Sequence, residues 1–229
     1  MDFQTFMQQF VNALSLGSLY ALIAIGYTMV YGILRLINFA HGDVFMIGGY
    51  IAFYAVTAFM MPWWVAVIVA IGLTTIFGMG LERVAYRPLR DSPRISIMIS
   101  AIGASFLIEN LAIVLFDARP KAFPVPDAFA STFVLGGVHV STVSVVIPVV
   151  TAIILAALLW VVYRTKTGMA MRAVSTDIDA ARLMAIDVNR IVAFTFAVGS
   201  ALAAVGGIMW ALKYPRLEPL MGIMPGLKC

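Results

Sequence analysis

Within six residues, Asn38-Phe39-Ala40-His41-Gly42-Asp43, stand an amide, an imidazole and a carboxylate, and from Met1 to Leu81 the only other formal charges are Asp2 and Arg35. Three kinds of chemistry use such a set: acid and base catalysis by His41 and Asp43, proton carriage by Asp43, or a polar lining for a path through apolar surroundings. Catalysis fails on geometry. At positions i and i+2 the two side chains do not face each other on a helix, and no serine-hydrolase elbow or HExxH helix accompanies them. No catalytic residue and no metal-ligand set is assigned. In hydrocarbon each unsatisfied polar group costs several kcal/mol, so the cluster must meet water at an interface, line a wet pathway, or be buried against protein.

The elements that position it are membrane helices. With 62% hydrophobic and 11% charged residues and a mean hydropathy of +1.00, the chain lacks the roughly 25% charge of soluble proteins. The fold class is therefore all-α, a polytopic helical bundle. Apolar runs of about 20 residues predict six spans, near 9–31, 37–60, 63–81, 95–116, 142–163 and 190–212. The segment Met1 to Phe10 carries Asp2 and no Lys or Arg, and no cleavage site follows, so the first span is retained rather than removed as a signal peptide. The lone Cys229 supports no disulfide, CxxC site or thiol chemistry.

The net charge of +4 is read as orientation, not nucleic-acid binding. Arg35, the Glu82 to Arg94 connection and the Arg164 to Arg190 connection hold ten of the fifteen basic residues, and the spans between them put all three on one side. The positive-inside rule makes that side cytoplasmic and the N-terminus external. Pro62-Trp63-Trp64 marks a tight turn at an interfacial aromatic belt. The Asp117 to Thr142 loop, with Pro120, Pro124, Pro126 and Gly136-Gly137, reads as turns rather than a span. His139 in that loop has no partner at metal spacing and receives no role.

Two readings of the polar cluster stand. In one, Gly42, Gly48 and Gly49 allow a break inside the second span, and Asn38 and His41 satisfy freed backbone groups or touch a passing solute. In the other, the cluster is a cytoplasmic turn with Arg35 and Asp43 at the water surface. Glu109 is either a second intramembrane polar contact or an interfacial side chain. Small residues at Ala13, Gly17 and Ala21, and at Gly199, Ala203 and Gly207, predict close helix packing.

Between Arg164 and Arg190 a short helix is expected over 175–186, capped by Ser175 or Thr176, with Asp177 and Asp179 complementing its dipole. Ala180, Ala181 and Met184 form an apolar patch on it, placed either against the chain's own helix ends or in a groove of a soluble partner.

Gly17 to Gly26, Ile37 to Asp43, the loop with Thr167-Gly168, Ala170, Arg172-Ala173, Asp179-Ala180-Ala181 and Met184, and Lys213-Tyr214-Pro215 with Gly222 to Lys228 together resemble LivH-type permeases of high-affinity branched-chain amino acid ABC importers. The resemblance runs through the whole chain in order and implies one permease domain over 1–229, with a coupling loop near 164–190. It implies an amino acid substrate, a homologous second permease, two cytosolic ABC ATPases, a periplasmic solute-binding protein that sets specificity, and a lipid-embedded place in the bacterial inner membrane. No nucleic acid is implied. ATP and Mg would sit on the partner ATPases with no cofactor in this chain, which has no GxxxxGK[ST] loop.

By their own polarity and placement, Asn38, His41, Gly42, Asp43 and Glu109 are the candidate pathway or gate positions. Carried over residue by residue, Gly168, Arg172, Asp179, Ala180, Ala181 and Met184 become the surface that docks on the ATPase. Short amides or urea are alternative cargoes in this family. A proton-coupled transporter using Asp43 or Glu109 is excluded if uptake survives collapse of the proton gradient and is lost with ATPase inactivation. The chain departs from the pattern at Ala185, where the family has glycine, and at Cys229, beyond which the family continues through further helices. The expectation is that those helices are missing, which the mass of the native protein, set against 24.8 kDa, tests.

Overall fold

A computed structural model describes residues 3–34, 37–90, 92–135 and 137–228. Gly136 and Arg35, and the side chains of Arg94 and Lys228 from the charge tally, lie outside the described residues. Among the described residues ten α-helices follow in order: α1 (Phe3–Leu34), α2 (His41–Thr57), α3 (Trp63–Leu81), α4 (Arg94–Phe116), α5 (Asp127–Ala130), α6 (Thr142–Arg164), α7 (Lys166–Thr176), α8 (Ile178–Leu183), α9 (Val188–Lys213) and α10 (Ile223–Lys228). Two antiparallel pairs complete the fold. β1 (Lys121–Ala122) pairs with β4 (Arg216–Leu217), and β2 (Thr132–Leu135) with β3 (Val138–Ser141).

Five of the helices, α1, α3, α4, α6 and α9, are long and apolar enough to cross a membrane. The second predicted span is shorter than expected. It begins only at His41, because the His41 N–H closes a turn onto the Asn38 carbonyl at 3.1 Å, and it ends at Thr57, leaving 17 helical residues. The predicted break at Gly42, Gly48 and Gly49 is not there, since all three sit in regular helix. Their use is close approach: a Cβ on Gly48 would stand 2.6 Å from the Ala204 Cα.

The core is organised around α9, which packs against α1, α2 and α3. Of the two predicted small-residue stripes, the one on α9 works as expected. Gly199 meets the Gly26 carbonyl on α1, Ala203 is fully buried, and Gly207 lies directly on the α2 backbone at Phe45. The α1 stripe does not, because Ala13, Gly17 and Ala21 are exposed and nothing within 4 Å would meet a Cβ on Gly17.

Beyond Leu81, α3 loosens into a π-helical turn, Glu82–Tyr86, and a 3-10 turn, Arg87–Leu89. Pro88 explains the change: it lacks an N–H and its ring clashes with the carbonyl four residues back, so the α ladder cannot continue. Both basic connections lie at one end of the bundle, where Arg90 Nη1 donates to Asn189 Oδ1 at 2.6 Å. At the other end the 117–141 segment forms loops and a hairpin rather than a span. His139 contributes only its backbone, which bonds the Gln8 side chain at 2.8 Å through both N–H and carbonyl.

Candidate functional site

The polar cluster is buried. Asn38, His41 and Asp43 are all 3% exposed or less, which removes the reading that places Asp43 at the water surface. Its depth follows from its partners. Ser105, which donates to Asp43 Oδ2 at 2.5 Å, stands at the midpoint of α4, and the His41 ring packs against Gly26, two helical turns inside the end of α1. The chain therefore turns back into the middle of the bundle after α1, and α2 starts there.

Each polar group has its own fate. Asn38 Oδ1 accepts from the Tyr86 hydroxyl at 2.6 Å, with both residues buried. The His41 ring bonds the Ile23 backbone and meets Tyr27 edge-on at 5.9 Å, while its Nε2 has no partner among the described residues. Asp43 alone of the three faces open space.

That space is a cavity of about 680 Å³ in mid-bundle. It is lined by Tyr27, Thr28 and Tyr31 of α1 and by Ile102, Ser105, Phe106 and Glu109 of α4, and it opens to the bundle surface, since Tyr31 and Phe106 are exposed. Ile37, Phe39, Gly42 and Asp43 line it as well, together with Gly222, Ile223 and Gly226. Of the residues singled out in the sequence, Gly42, Asp43 and Glu109 thus converge on one cavity. Asn38 and His41 do not line it and instead fix the turn behind its wall.

The stretch after α9 also differs from expectation. The Gly222 to Lys228 segment does not stay at the outer end. Leu217 packs on Gly49, and Gly222 meets Gly42 backbone to backbone, so the chain descends along α2 to the cavity. Only glycine on both sides permits that approach, since a Cβ on either would overlap the other's carbonyl. Ser105 and Tyr86 went unnoticed in the sequence. A serine inside an apolar run and a tyrosine among arginines carry no signal until their partners are known.

The segment near 164–190 is two helices. Thr165 caps α7 by accepting from the Gly168 N–H at 3.0 Å, and Gly168 is required because a Cβ would overlap the Val161 and Val162 carbonyls. Arg172 donates to the Val162 carbonyl and lies over the Tyr163 ring. The cap of α8 is Asp177, not Ser175 or Thr176: its Oδ1 accepts from Asp179 N and Ala180 N at 2.9 and 3.0 Å. Ser175 and Thr176 instead return their hydroxyls to the Arg172 carbonyl, ending α7.

The apolar patch on α8 divides between the two fates the sequence left open. Ala181 is buried with Val174, Val188 and Ile191 of its own chain, whereas Ala180, Leu183 and Met184 face outward, the last two 89% and 77% exposed. Asp179 is exposed as well and pairs with Arg182 at 3.4 Å. Ala185, where the resembled family has glycine, has φ of 59°, a left-handed conformation that glycine adopts without strain. The Ile186 N–H closes the motif onto the Ala181 carbonyl at 3.2 Å. Left-handed backbone costs a non-glycine residue about 1–2 kcal/mol, and glycine returns part of that as unfolded-state entropy. Ala185→Gly should therefore raise stability by roughly 0.5–1 kcal/mol, read as a small upward shift in thermal unfolding in detergent; a downward shift contradicts the account.

With this geometry in place, comparison with known proteins is decisive. The family described as "Branched-chain amino acid transport system / permease component" matches residues 9–228. The high-affinity branched-chain amino acid transport system permease protein BraD of Pseudomonas aeruginosa is 42% identical over 97% of this chain and 76% of its own length. The permease protein LivH of Escherichia coli K12 is 40% identical over 99% of this chain and 77% of its own. The chain belongs to this permease family. It is a multi-pass membrane protein and the permease component of an ABC transport system. The ribose import permease protein RbsC of Haemophilus influenzae is a more distant relative, 26% identical over 93% of the permease described here. No solved structure matches.

Proposed function

We propose that this permease moves branched-chain amino acids inward across the bacterial inner membrane by ATP-driven alternating access, its basic end in the cytoplasm and its N-terminus outside. The observation that carries the reading is the mid-bundle cavity bounded by Gly42, Asp43 and Glu109, reached by a chain that re-enters the bundle instead of turning at its surface. A solute site at mid-depth, flanked by non-helical backbone and movable helices, is what alternating access requires. The 40–42% identical relatives, both branched-chain amino acid permeases by name, favour branched-chain cargo over amides or urea.

The partners in this reading are a homologous second permease, two ABC ATPases binding ATP and Mg, and an external solute-binding protein. Residues 1–229 belong to one permease domain, and 164–190 is its coupling loop. Gly168 and Arg172 shape that loop at the α6–α7 joint, and Asp179 stands exposed at the start of α8. Ala181 anchors α8 to the bundle, and Ala180 and Met184, together with Leu183, offer the face that enters the ATPase groove.

The test is uptake of labelled leucine by vesicles holding the purified permeases, ATPases and binding protein. ATP-dependent uptake supports the reading; uptake indifferent to ATP and abolished by a protonophore defeats it. Met184→Asp adds a charge to the exposed face without touching the core. It should reduce recovery of the ATPases with the permease at least tenfold while leaving the thermal unfolding of the permease unchanged. Undiminished recovery removes α8 from the interface.

A further inference from the structure

The geometry points to a receptor for the ammonium group of the cargo, formed in the mid-bundle cavity by the carboxylates of Asp43 and Glu109. This deepens the proposed function and rests on it. Two acidic side chains, from different helices, border one cavity and lie within electrostatic range of each other. Asp43 is 3% exposed. Among the described residues that line the cavity none is lysine or arginine. Like charges placed together in an apolar surround repel, and a cation between them relieves the repulsion.

The rest of the wall selects which cation. Ile102, Phe106 and Ile223 are apolar, and the walls of α1 and α4 stand around a space large enough for an amino acid with a branched aliphatic side chain. A metal ion is a poor occupant, because no third His, Cys, Asp or Glu joins the pair among the described residues. An organic ammonium carrying an aliphatic group satisfies both halves of the lining.

The two carboxylates divide the work. Asp43 is fixed: one oxygen is held by Ser105, and the residue lines the cavity from the first turn of α2. Glu109 is one turn beyond Ser105 on α4, half-buried and with no hydrogen bond or ion pair among the described residues, and follows the cargo along the wall. The pair therefore gives the permease its own sieve for a positively charged amino group, separate from selection by the external binding protein.

Carbodiimide labelling of Glu109, read by peptide mass spectrometry on the assembled importer, tests this without requiring transport. Millimolar leucine and isoamylamine should each protect at least fivefold, and isocaproate, which has the side chain and carboxylate but no amine, should not. Equal protection by isocaproate, or none by the amines, overturns the inference. Asp43→Asn keeps an acceptor for Ser105 and removes the charge, and Glu109→Gln is its counterpart. Each should lower leucine uptake at least tenfold while ATP hydrolysis stimulated by loaded binding protein persists. Normal uptake by both variants overturns the inference and leaves the proposed function standing. Failure of the wild-type complex to take up branched-chain amino acids, with amine protection intact, would sink the proposed cargo and spare the site.

Discussion

Gly207→Val should leave almost no folded permease, while Gly72→Ala, in an equally apolar helix, should pass unnoticed. The difference lies in what a Cβ would meet. On Gly207 it would overlap the Phe45 carbonyl and stand 3.2 Å from the Gly49 N, both backbone atoms of α2. On Gly72 it would meet nothing within 4 Å. Overpacking usually costs about 1–3 kcal/mol when side chains can shift. Here neither surface has a side chain to move, so α2 and α9 must separate. Separation also pulls apart Gly48 and Ala204, then Gly199 and Gly26, because one helix carries all three contacts. The measurement is monodisperse yield and thermal unfolding in detergent. A Gly207→Val protein as stable as the parent would mean that α2 and α9 are not in backbone contact.

That contact is readable in part from the sequence. The spacing of Gly199, Ala203 and Gly207 announces a face that approaches another helix, and it does. The same spacing at Ala13, Gly17 and Ala21 announces the same and faces outward, because periodicity reports what a helix can pack against and not whether anything stands there. The long apolar helices follow from hydrophobic length, a local property. The re-entry before α2 and the descent after Leu217 do not, since both are decided by partners far away in sequence: Tyr86 for Asn38, Ser105 for Asp43 and Gly222 for Gly42.

The cavity shows the same limit. Asp43 and Glu109 stand out in the sequence as charges among apolar residues, yet only the crossing of α2 and α4 makes them neighbours. The positive φ at Ala185 leaves no mark in the chain's own residues, since alanine stands there; only the glycine of the resembled family points to it. The cap of α8 was misplaced by one or two residues, since Ser175, Thr176 and Asp177 all suit the position and only the carbonyl of Arg172 decides between them.

Removing either side chain of the Glu82–Arg90 pair should cost about 3–5 kcal/mol, the second large effect expected of a single substitution. The pair is 2.5 Å apart with side chains 4% and 9% exposed, so loss of one partner strands the other's charge in a place water barely reaches. Glu82→Leu together with Arg90→Met should recover most of that loss, because replacing a buried pair by apolar groups is often neutral.

Stability is not all the pair provides. Arg90 also reaches Asn189 at the start of α9, directly after α8, and Glu82 begins the π-helical turn whose Tyr86 holds Asn38 behind the cavity. The Ser100 hydroxyl donates to the Ala85 carbonyl at 2.8 Å and holds the same turn from α4. A displacement of α8 therefore has a bonded route to the start of α2 through Arg90, the turn and Tyr86. The apolar double variant keeps the packing and cuts that route. It should unfold near the parent's temperature, bind the ATPases normally, and move fewer amino acids per ATP hydrolysed. If its transport per ATP equals the parent's, the ion pair serves stability alone, and motion at α8 reaches the cavity through the packed faces of α9.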